Sequence, residues 1–328
     1  MTNIPKEKFK QAKDLIDSSK LILVVAHKDP DGDAVGSMLA ISQYLKARGK
    51  EYRLYLYDRP PQYLSFMPGF EEIKNSLSGE KFDLVIGMDY GNFHRLKIDG
   101  FVPQDAKVLT VDHHIQTDHK GEVMLLDKDA DSTTQIIYLF FKENGIEMNR
   151  EIAICIFCGM MTDTGVFQYG NTSLDTFETT IDLIKNFKFD WKKIIRDTIY
   201  CDRTTKTFKI WARALDRLEK DENSIMAYTY VLRQDFKDHG ATFDEMIGLV
   251  DLIKTVSDAK FIMFLKDLHE DGIVEASLRS DDSKNYDVAD LAMVFGGGGH
   301  KHASGFRFKG TVQEAISAVK KELKKKKM

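Results

Sequence analysis

Four short clusters of aspartate and histidine in the sequence have side chains that could bind metal ions. They are His27-Lys-Asp-Pro-Asp31-Gly-Asp33, Asp89-Tyr-Gly91, Asp112-His113-His114 and Thr162-Asp163-Thr-Gly165. The first three directly follow apolar runs that are typical of buried strands, and the fourth closes an apolar helix. Because the carboxyl ends of parallel strands meet at one edge of a sheet, we expect these side chains to hold divalent metal. Such a centre indicates metal-dependent phosphoryl chemistry.

Each cluster taken alone also has a structural explanation. Asp29, Asp31 and Asp33 superficially match a calcium-binding loop, but alanines occupy the positions where that loop needs glycine and glutamate. The same segment could be an aspartate-rich turn in which Asp33 caps the following helix. A turn of that kind does not need His27 at the end of the preceding strand. Four clusters at successive element ends together favour the metal centre.

The composition limits the class of protein. A chain of 328 residues, 43% hydrophobic and 30% charged, is typical of a globular protein with room for two domains. The net charge of −4 argues against a nucleic-acid coat protein, although local basic patches could still hold a short strand. Three cysteines make no disulfide framework, and the apolar run at 21–26 is too short for a signal sequence or membrane span. We therefore expect a cytoplasmic protein with no membrane partner.

The first part of the chain, residues 1–187, alternates strand and helix signals. Continuous apolar runs predict strands at 21–26, 52–57, 82–88 and 107–111. Apolar residues at helical spacing predict helices over 34–48, 132–144 and 151–161. This alternation predicts an α/β domain with a doubly wound, mostly parallel sheet.

The pattern changes after residue 187. Residues 188–222 are charged and helical, and they predict a helical connector. Residues 223–328 then predict a smaller α/β domain with a mixed sheet, separated from the first domain by a cleft. Its predicted strands are 224–231, 260–268, 273–279 and 304–308, and its predicted helices are 242–256, 286–294 and 311–325.

The order of these clusters resembles motifs I to IV of the DHH phosphoesterases. The matching residues are His27-x-x-x-Asp31-x-Asp33, Asp89, Asp112-His113-His114 and Asp163. Gly296-Gly-Gly-Gly299-His300, followed by Ala303-Ser304-Gly305, resembles the signature of the DHH-associated C-terminal domain. The size and two-domain layout are similar to the NrnA branch, which degrades nano-RNA and dephosphorylates pAp (3′-phosphoadenosine 5′-phosphate). The pair Lys301-His302 departs from the signature and bears on substrate preference.

The resemblance implies a site for two divalent metal ions, with manganese expected. The implied ligands are His27, Asp31, Asp33, Asp89, His113 and Asp163. His27 and Asp31 would hold one ion. Asp33 and His113 would hold the other ion, and Asp163 would complete this second site. Asp89 would bridge both ions.

Further roles follow from the same resemblance. His114 would contact the scissile phosphate or orient the nucleophile, Asp112 would fix a histidine ring, and both would act with Asp89 in catalysis. In the family an arginine at a strand end clamps a phosphate, and Arg279 matches it. The glycines would let an anionic ligand approach the backbone and would expose N–H donors to it. The implied substrate-binding residues are Arg279, Gly297, Gly298, Gly299, His300 and Ser304.

We therefore expect a manganese-dependent hydrolase of phosphoric ester bonds that works by two-metal hydroxide attack. Its expected substrates are short single-stranded RNA or DNA oligonucleotides, which it would hydrolyse to mononucleotides. It would also hydrolyse nucleotide bisphosphates such as pAp, which it would convert to AMP. One alternative is hydrolysis of pApA or cyclic di-AMP. Another is a non-catalytic nucleotide-binding protein of the same fold, although the intact ligand set argues against it. The sequence does not decide whether RNA or DNA is the preferred substrate, or whether the protein is a monomer or a homodimer.

Overall fold

The computed structural model describes residues 2–98, 100, 105–114, 118–199, 203–221, 225–246, 248–267 and 272–325. The chain divides into two compact units, Met1–Ile199 and Tyr200–Met328, which we call the N-terminal unit and the C-terminal unit. Within the described ranges, no helix is both long enough and apolar enough to cross a membrane.

The N-terminal unit is built on a six-stranded sheet in which all neighbouring strands are parallel. The strands lie in the order β3-β2-β1-β4-β5-β6, so the strand order reverses between β1 and β4. This confirms the predicted doubly wound sheet. In chain order the elements are α1 (Lys6–Ser18), β1 (Leu21–Ala26), α2 (Gly32–Ala47), β2 (Glu51–Tyr55), β3 (Ile73–Lys74), β4 (Leu84–Met88), β5 (Lys107–Asp112), β6 (Val123–Leu126), α3 (Thr133–Glu143), α4 (Arg150–Asp163), α5 (Leu174–Phe187) and α6 (Trp191–Ile199).

The central strands end at one level. β4 is buried along its whole length and β1 along all but its first residue, as expected for strands covered by helices on both faces. Ala26 at the end of β1 pairs with Met88 at the end of β4, and Met88 pairs with Val111 in β5. The register therefore brings the first three aspartate and histidine clusters to the same edge of the sheet.

Helices α2 and α4 pack so closely that glycine is required where they meet. A Cβ atom on Gly36 would lie 2.6 Å from the carbonyl oxygen of Cys155, and a Cβ atom on Gly32 would lie 2.4 Å from the Thr162 hydroxyl oxygen. Both distances are well below van der Waals contact. This close packing brings the start of α2 beside the end of α4, where the fourth cluster lies.

The C-terminal unit contains a mixed six-stranded sheet, which confirms the predicted second α/β domain. Its strand order is β11-β12-β10-β9-β8-β7; β8 and β9 are parallel, and the other neighbours are antiparallel. The elements in chain order are α7 (Thr205–Asp216), β7 (Glu219–Lys220), β8 (Met226–Leu232), α8 (Arg233–His239), α9 (Leu249–Ile253), β9 (Phe261–Asp267), β10 (Ile273–Arg279), α10 (Ala289–Val294), β11 (Gly298–His300), β12 (Ala303–Lys309) and α11 (Val312–Lys325).

The segment 188–222, which the sequence predicts as a helical connector, is divided between the two units. Phe189, two residues before α6, and Ile194, in the middle of α6, are buried in the hydrophobic core of the N-terminal unit. Ile210 and Trp211 of α7 are buried in a core of the C-terminal unit instead. Each helix has an apolar face that its own unit covers, so each folds as part of that unit.

The contact between α2 and α4 gives a prediction for stability. Gly36→Ala should destabilise the protein by about 1–3 kcal/mol, because the added methyl group overlaps the Cys155 carbonyl and the helices must separate. Gly298→Ala is the matched control, because nothing lies within 4 Å of a Cβ atom at that position. Thermal unfolding of both variants checks this. Equal unfolding temperatures for Gly36→Ala and the parent protein would contradict the proposed close packing.

Candidate metal centre

The six residues predicted to bind metal lie together in the N-terminal unit. They make up two donor sets, and within each set one donor atom from every residue lies within 4.8 Å of the others. The first donor set is His27, Asp31 and Asp89, and the second donor set is Asp33, His113 and Asp163. The ends of β1, β4, β5 and α4 and the start of α2 supply these residues.

Asp89 lies between the two donor sets. Its Oδ2 atom is 3.5 Å from His27 Nε2, and its Oδ1 atom is 3.5 Å from His113 Nε2. Its side chain is 2% exposed, and Oδ1 also accepts a hydrogen bond of 3.0 Å from the Thr133 hydroxyl. The backbone of Asp89 adopts φ 53°, a left-handed conformation that costs energy for a residue other than glycine. The strained turn after β4 thus directs one carboxylate oxygen towards each donor set.

Asp33 is held by the N terminus of α3 rather than capping its own helix. Its Oδ2 accepts from the Thr133 backbone N–H at 2.6 Å, and its Oδ1 accepts from the Thr134 backbone N–H at 2.9 Å and hydroxyl at 2.7 Å. The alternative explanation of the sequence, in which Asp33 caps α2, is therefore excluded. Asp31 is the cap, because its Oδ1 accepts from the backbone N–H groups of Asp33 and Ala34, each at 3.0 Å.

The buried carboxylates repel one another. Burial and the charge of Asp89 raise the pKa of Asp33 to about 7. Burial, together with Asp33 and other neighbouring carboxylates, raises the pKa of Asp163 well above its ordinary value. Burial opposes protonation of His27 and His113, but the surrounding aspartates outweigh it and raise the pKa of each histidine to about 9. The cluster therefore carries more negative charge than its environment favours.

This donor chemistry fits divalent cations. Carboxylate oxygen and imidazole nitrogen together suit ions such as manganese, and a bound cation would relieve the repulsion among the carboxylates. Two of the histidines are also oriented for ligation. Nδ1 of His27 lies 2.6 Å from the Lys28 carbonyl and Nδ1 of His113 lies 3.2 Å from the Ala130 carbonyl, so each Nδ1 carries a proton. In the neutral rings, Nε2 is then the atom that can bind metal.

Asp112 is buried and holds His114. Its Oδ1 accepts from the backbone N–H of His114 at 2.9 Å and from its ring Nδ1 at 2.8 Å. Its Oδ2 accepts from the backbone N–H groups of Tyr90 at 2.8 Å and Gly91 at 2.7 Å, in the turn that follows Asp89. Burial opposes ionisation of Asp112, but hydrogen bonds from His114 and His119 outweigh it and hold the pKa of Asp112 below its ordinary range.

The ring of His114 also approaches Asp89. One donor atom each from Asp89, His113 and His114 lies within 4.8 Å of the others, so these residues are a third candidate set of ligands. His114 Nδ1 lies 3.4 Å from Asp89 Oδ1 but only 2.8 Å from Asp112 Oδ1. Because Nδ1 donates its proton to Asp112, it has no lone pair for a metal ion. His114 therefore lies beside the donor sets, and it bonds Asp112 through Nδ1 and not through Nε2.

Two residues near the centre were missed by the sequence analysis. His119 donates to Asp112 Oδ2 at 3.1 Å. The guanidinium of Arg95 lies 3.1 Å from His27 Nδ1 and donates to the Tyr90 carbonyl at 3.2 Å. Neither residue belongs to a cluster, and Arg95 reaches the centre only because the chain turns back after β4. No spacing pattern in the sequence marks either residue.

In the C-terminal unit, the predicted glycine-rich loop is partly a strand. β11 pairs with β12, and a Cβ atom on Gly299 would lie 2.5 Å from the Ala303 carbonyl oxygen. A Cβ atom on Gly297 would lie 2.1 Å from the Gly305 carbonyl oxygen, and the Gly297 N–H donates to Ala292 at the end of α10. These glycines therefore allow close approach of the chain to β12, whereas Gly298 faces open space.

The other predicted substrate-binding residues lie near this strand. Arg279 ends β10 opposite Ala303, is half-buried, and donates to the Leu278 carbonyl at 2.9 Å. Ser304 is buried, and its hydroxyl donates to the Val288 carbonyl at 2.8 Å. The side chain of His300 lies outside the described part of the chain.

A cavity of about 380 Å³ opens beside the glycines of the C-terminal unit. Gly296, Gly297 and Gly305 line it together with the charged side chains of Glu275 and Arg307. Arg307 donates to Glu275 at 2.9 Å. The cavity is therefore lined by exposed backbone together with one acidic and one basic side chain.

A doubly wound sheet that carries two adjoining donor sets of carboxylate and imidazole at its carboxyl edge is an arrangement suited to metal-dependent hydrolysis. Comparison with known families matches the DHH family, N-terminal domain, to residues 21–160 and the DHHA1 domain to residues 223–325. The chain therefore belongs to the DHH family, carries a DHHA1 domain, and is a phosphoesterase of that family.

Individual relatives extend this comparison. The bifunctional oligoribonuclease and PAP phosphatase NrnA of Thermus thermophilus is 28% identical over 314 residues, which cover 92% of this chain and 90% of the relative. The crystal structure of an exopolyphosphatase-related protein from Bacteroides fragilis has a TM-score of 0.90 at 22% identity, covering 99% of this chain and 98% of that chain. RecJ of Thermus thermophilus in complex with Mn²⁺ has a TM-score of 0.55 at 11% identity, covering 97% of this chain and 54% of that chain. The two structures show the fold.

The position of Asp89 gives a prediction for activity. Asp89→Ala should abolish phosphoester hydrolysis, because the residue faces both donor sets. The variant should remain folded, because Asp89 lies at the edge of the sheet and outside the hydrophobic core of the N-terminal unit. Turnover, thermal unfolding and bound metal, measured on the same preparation, check this.

Asp29→Asn is the control for Asp89→Ala. Asp29 lies in the same region but is exposed and belongs to neither donor set, and asparagine tolerates its φ of 57°. This control should keep its activity and its metal. Near-native turnover of folded Asp89→Ala would be inconsistent with a centre shared through this carboxylate.

Proposed function

We propose that this protein is a manganese-dependent hydrolase that removes mononucleotides from very short oligonucleotides and converts pAp to AMP. The observation that carries the proposal is the position of Asp89, with one oxygen towards each donor set and His114 held beside it. A centre built for two adjacent cations is a recurrent solution for phosphoester hydrolysis. Divalent ions bound there would stabilise charge on a phosphoryl oxygen and lower the pKa of the attacking water.

The protein's own residues would position the reacting groups. Asp89, at the strained turn after β4, would keep the two donor sets at a fixed separation. Asp112 holds Nδ1 of His114, so Nε2 is the ring atom that would contact the scissile phosphate. Contacts that are preorganised in this way favour the transition state because no side chain has to be reoriented during the reaction.

The choice of substrate rests on the relatives and on the C-terminal unit. The Thermus thermophilus relative is named an oligoribonuclease and PAP phosphatase. We propose that Arg279 binds a second, non-reacting phosphate, for which a guanidinium is geometrically suited. The glycines 297–299, His300 and Ser304 are proposed to complete that binding site. pAp and dinucleotides both carry the additional phosphate that such a contact would require.

Manganese is proposed because the donor sets mix carboxylate and imidazole. The RecJ structure of Thermus thermophilus, which shares the fold, is a complex with Mn²⁺. Short single-stranded RNA or DNA would be the macromolecular partner. A chain with a net charge of −4 has no overall excess of positive charge for the extended, salt-sensitive contacts that long strands require.

The nearest rival within the same chemistry is hydrolysis of pApA or cyclic di-AMP, and a non-catalytic nucleotide-binding role is the rival from another class. One panel separates them: manganese-loaded protein is assayed on pAp, pApA, cyclic di-AMP, a five-nucleotide RNA and a twenty-four-nucleotide RNA. We expect turnover of pAp and of the short oligonucleotides, with efficiency falling steeply for the long RNA. Removing manganese with a chelator should stop turnover, and adding manganese should restore it.

Each rival predicts a different result in this panel. Equal efficiency on the short and long RNAs, with processive products, would indicate an extended nucleic-acid groove and contradict the proposal. Preference for cyclic di-AMP or pApA over pAp and RNA would favour the first rival. No turnover of any substrate by metal-loaded protein would favour the non-catalytic role.

Arg279 provides a test of the second phosphate contact. Arg279→Ala should raise the Michaelis constant for pAp by roughly 10- to 100-fold, which corresponds to a charge-assisted contact of about 1.5–3 kcal/mol. Metal content should not change. Arg213→Ala, which removes an exposed arginine of α7 in the same unit, is the control and should leave the Michaelis constant unaltered. An unchanged Michaelis constant in Arg279→Ala would show that the arginine does not contact substrate.

A further inference from the structure

His119 belongs to none of the four clusters, yet its ring reaches the carboxylate that holds His114. Its Nε2 lies 3.1 Å from Asp112 Oδ2, and its side chain is only 7% exposed. Ionised Asp112 can only accept hydrogen bonds, so Nε2 of His119 carries the proton. We infer that His119 is a positioning residue that fixes the ring of His114 through Asp112.

The contacts around His119 hold its own ring in place. The ring packs against Tyr90 with a centroid distance of 5.3 Å. The Tyr90 hydroxyl lies 2.6 Å from the hydroxyl of Thr110 and accepts from the Lys120 N–H at 3.3 Å. The Thr110 hydroxyl donates to the Lys120 carbonyl at 2.6 Å. The Lys120 carbonyl is therefore held by β5 and the Lys120 N–H by the turn after β4, and His119 directly precedes this residue.

The two oxygens of Asp112 have separate partners. Oδ1 takes both hydrogen bonds from His114, while Oδ2 takes those from Tyr90, Gly91 and His119. Of the three described donors to Oδ2, only His119 donates from a side chain. It is also the only one of these three that does not belong to the turn carrying Asp89. Loss of its N–H leaves the carboxylate tied to that turn but less firmly oriented, and His114 then loses part of its alignment.

This arrangement predicts a particular functional signature. His119 contacts none of the candidate metal ligands through its hydrogen bond, so its loss should leave metal binding intact. It should lower kcat rather than raise the Michaelis constant, because the misaligned group acts on the reacting phosphate. A drop of roughly tenfold is typical when a group that orients an active-site residue is removed. The kinetic part of this inference rests on the proposed hydrolase function.

Two substitutions separate the N–H donor from the ring. His119→Phe keeps an aromatic ring against Tyr90 but removes the donor, and His119→Gln keeps a side-chain N–H donor but removes the ring. His119→Leu is a second variant without the donor, should the phenylalanine variant unfold. His94→Phe replaces an exposed histidine of the N-terminal unit and controls for a general effect of replacing a histidine by phenylalanine. Thermal unfolding and bound manganese are measured for all four variants.

The direct readout is the Nδ1 proton of His114, observed by NMR in metal-free protein with ¹⁵N-labelled histidine, because paramagnetic manganese would broaden this resonance. We expect His119→Phe to shift or broaden this resonance and to lower kcat on pAp about tenfold, with the Michaelis constant and manganese content retained. His119→Gln should restore most of both properties. An unchanged His114 resonance and kcat in folded His119→Phe would overturn the inference, as would equal losses in His119→Phe and His119→Gln.

If the parent protein hydrolyses none of the substrates, the proposed function fails, but the comparison of His114 resonances still decides the role of His119. A shifted resonance in His119→Phe alone would then support the positioning role. The same resonance in all variants would refute it.

Discussion

Asp33, Asp89 and Asp163 bring three carboxylates together in one largely buried cluster, and the repulsion among these carboxylates is the constraint on which the rest of the centre depends. Burial raises the pKa of Asp33 and Asp163, because the charged forms lose contact with water while neighbouring carboxylates repel them. His27 and His113 offset part of this charge. The remaining repulsion is relieved when a carboxylate is protonated or when cations bind. Affinity of the centre for metal and its unfavourable electrostatics without metal would therefore have one cause.

Several elements of the fold act together to hold these like charges close to one another. The register of β1, β4 and β5 fixes where three clusters leave the sheet, and the glycine contacts between α2 and α4 bring the fourth cluster to them. The N terminus of α3 supplies two backbone N–H groups to Asp33, where the helix dipole also favours a negative charge. Asp112 ties the turn after β4 to His114. No single element would hold the cluster without the others.

Much of this could be predicted from the sequence, because the signals are local. Continuous apolar runs gave β1 and β4, and the clusters that follow them indicated the candidate ligands. Contacts between distant segments could not be predicted in the same way. Asp33 is held by residues a hundred positions further along the chain, and nothing in its local pattern distinguishes that role from capping α2. β6 was missed because it is short and only alternate residues are buried. The tautomers of His27 and His114 depend on carbonyl and carboxylate partners that only the fold brings close.

The central claim is that Asp89 is shared by two adjacent cation sites. Anomalous diffraction from manganese-soaked crystals, collected on either side of the manganese absorption edge, tests it directly. We expect two peaks, one among His27, Asp31 and Asp89 and the other among Asp33, His113 and Asp163, with Asp89 contacting both. A single peak, or manganese bound away from Asp89, would contradict it.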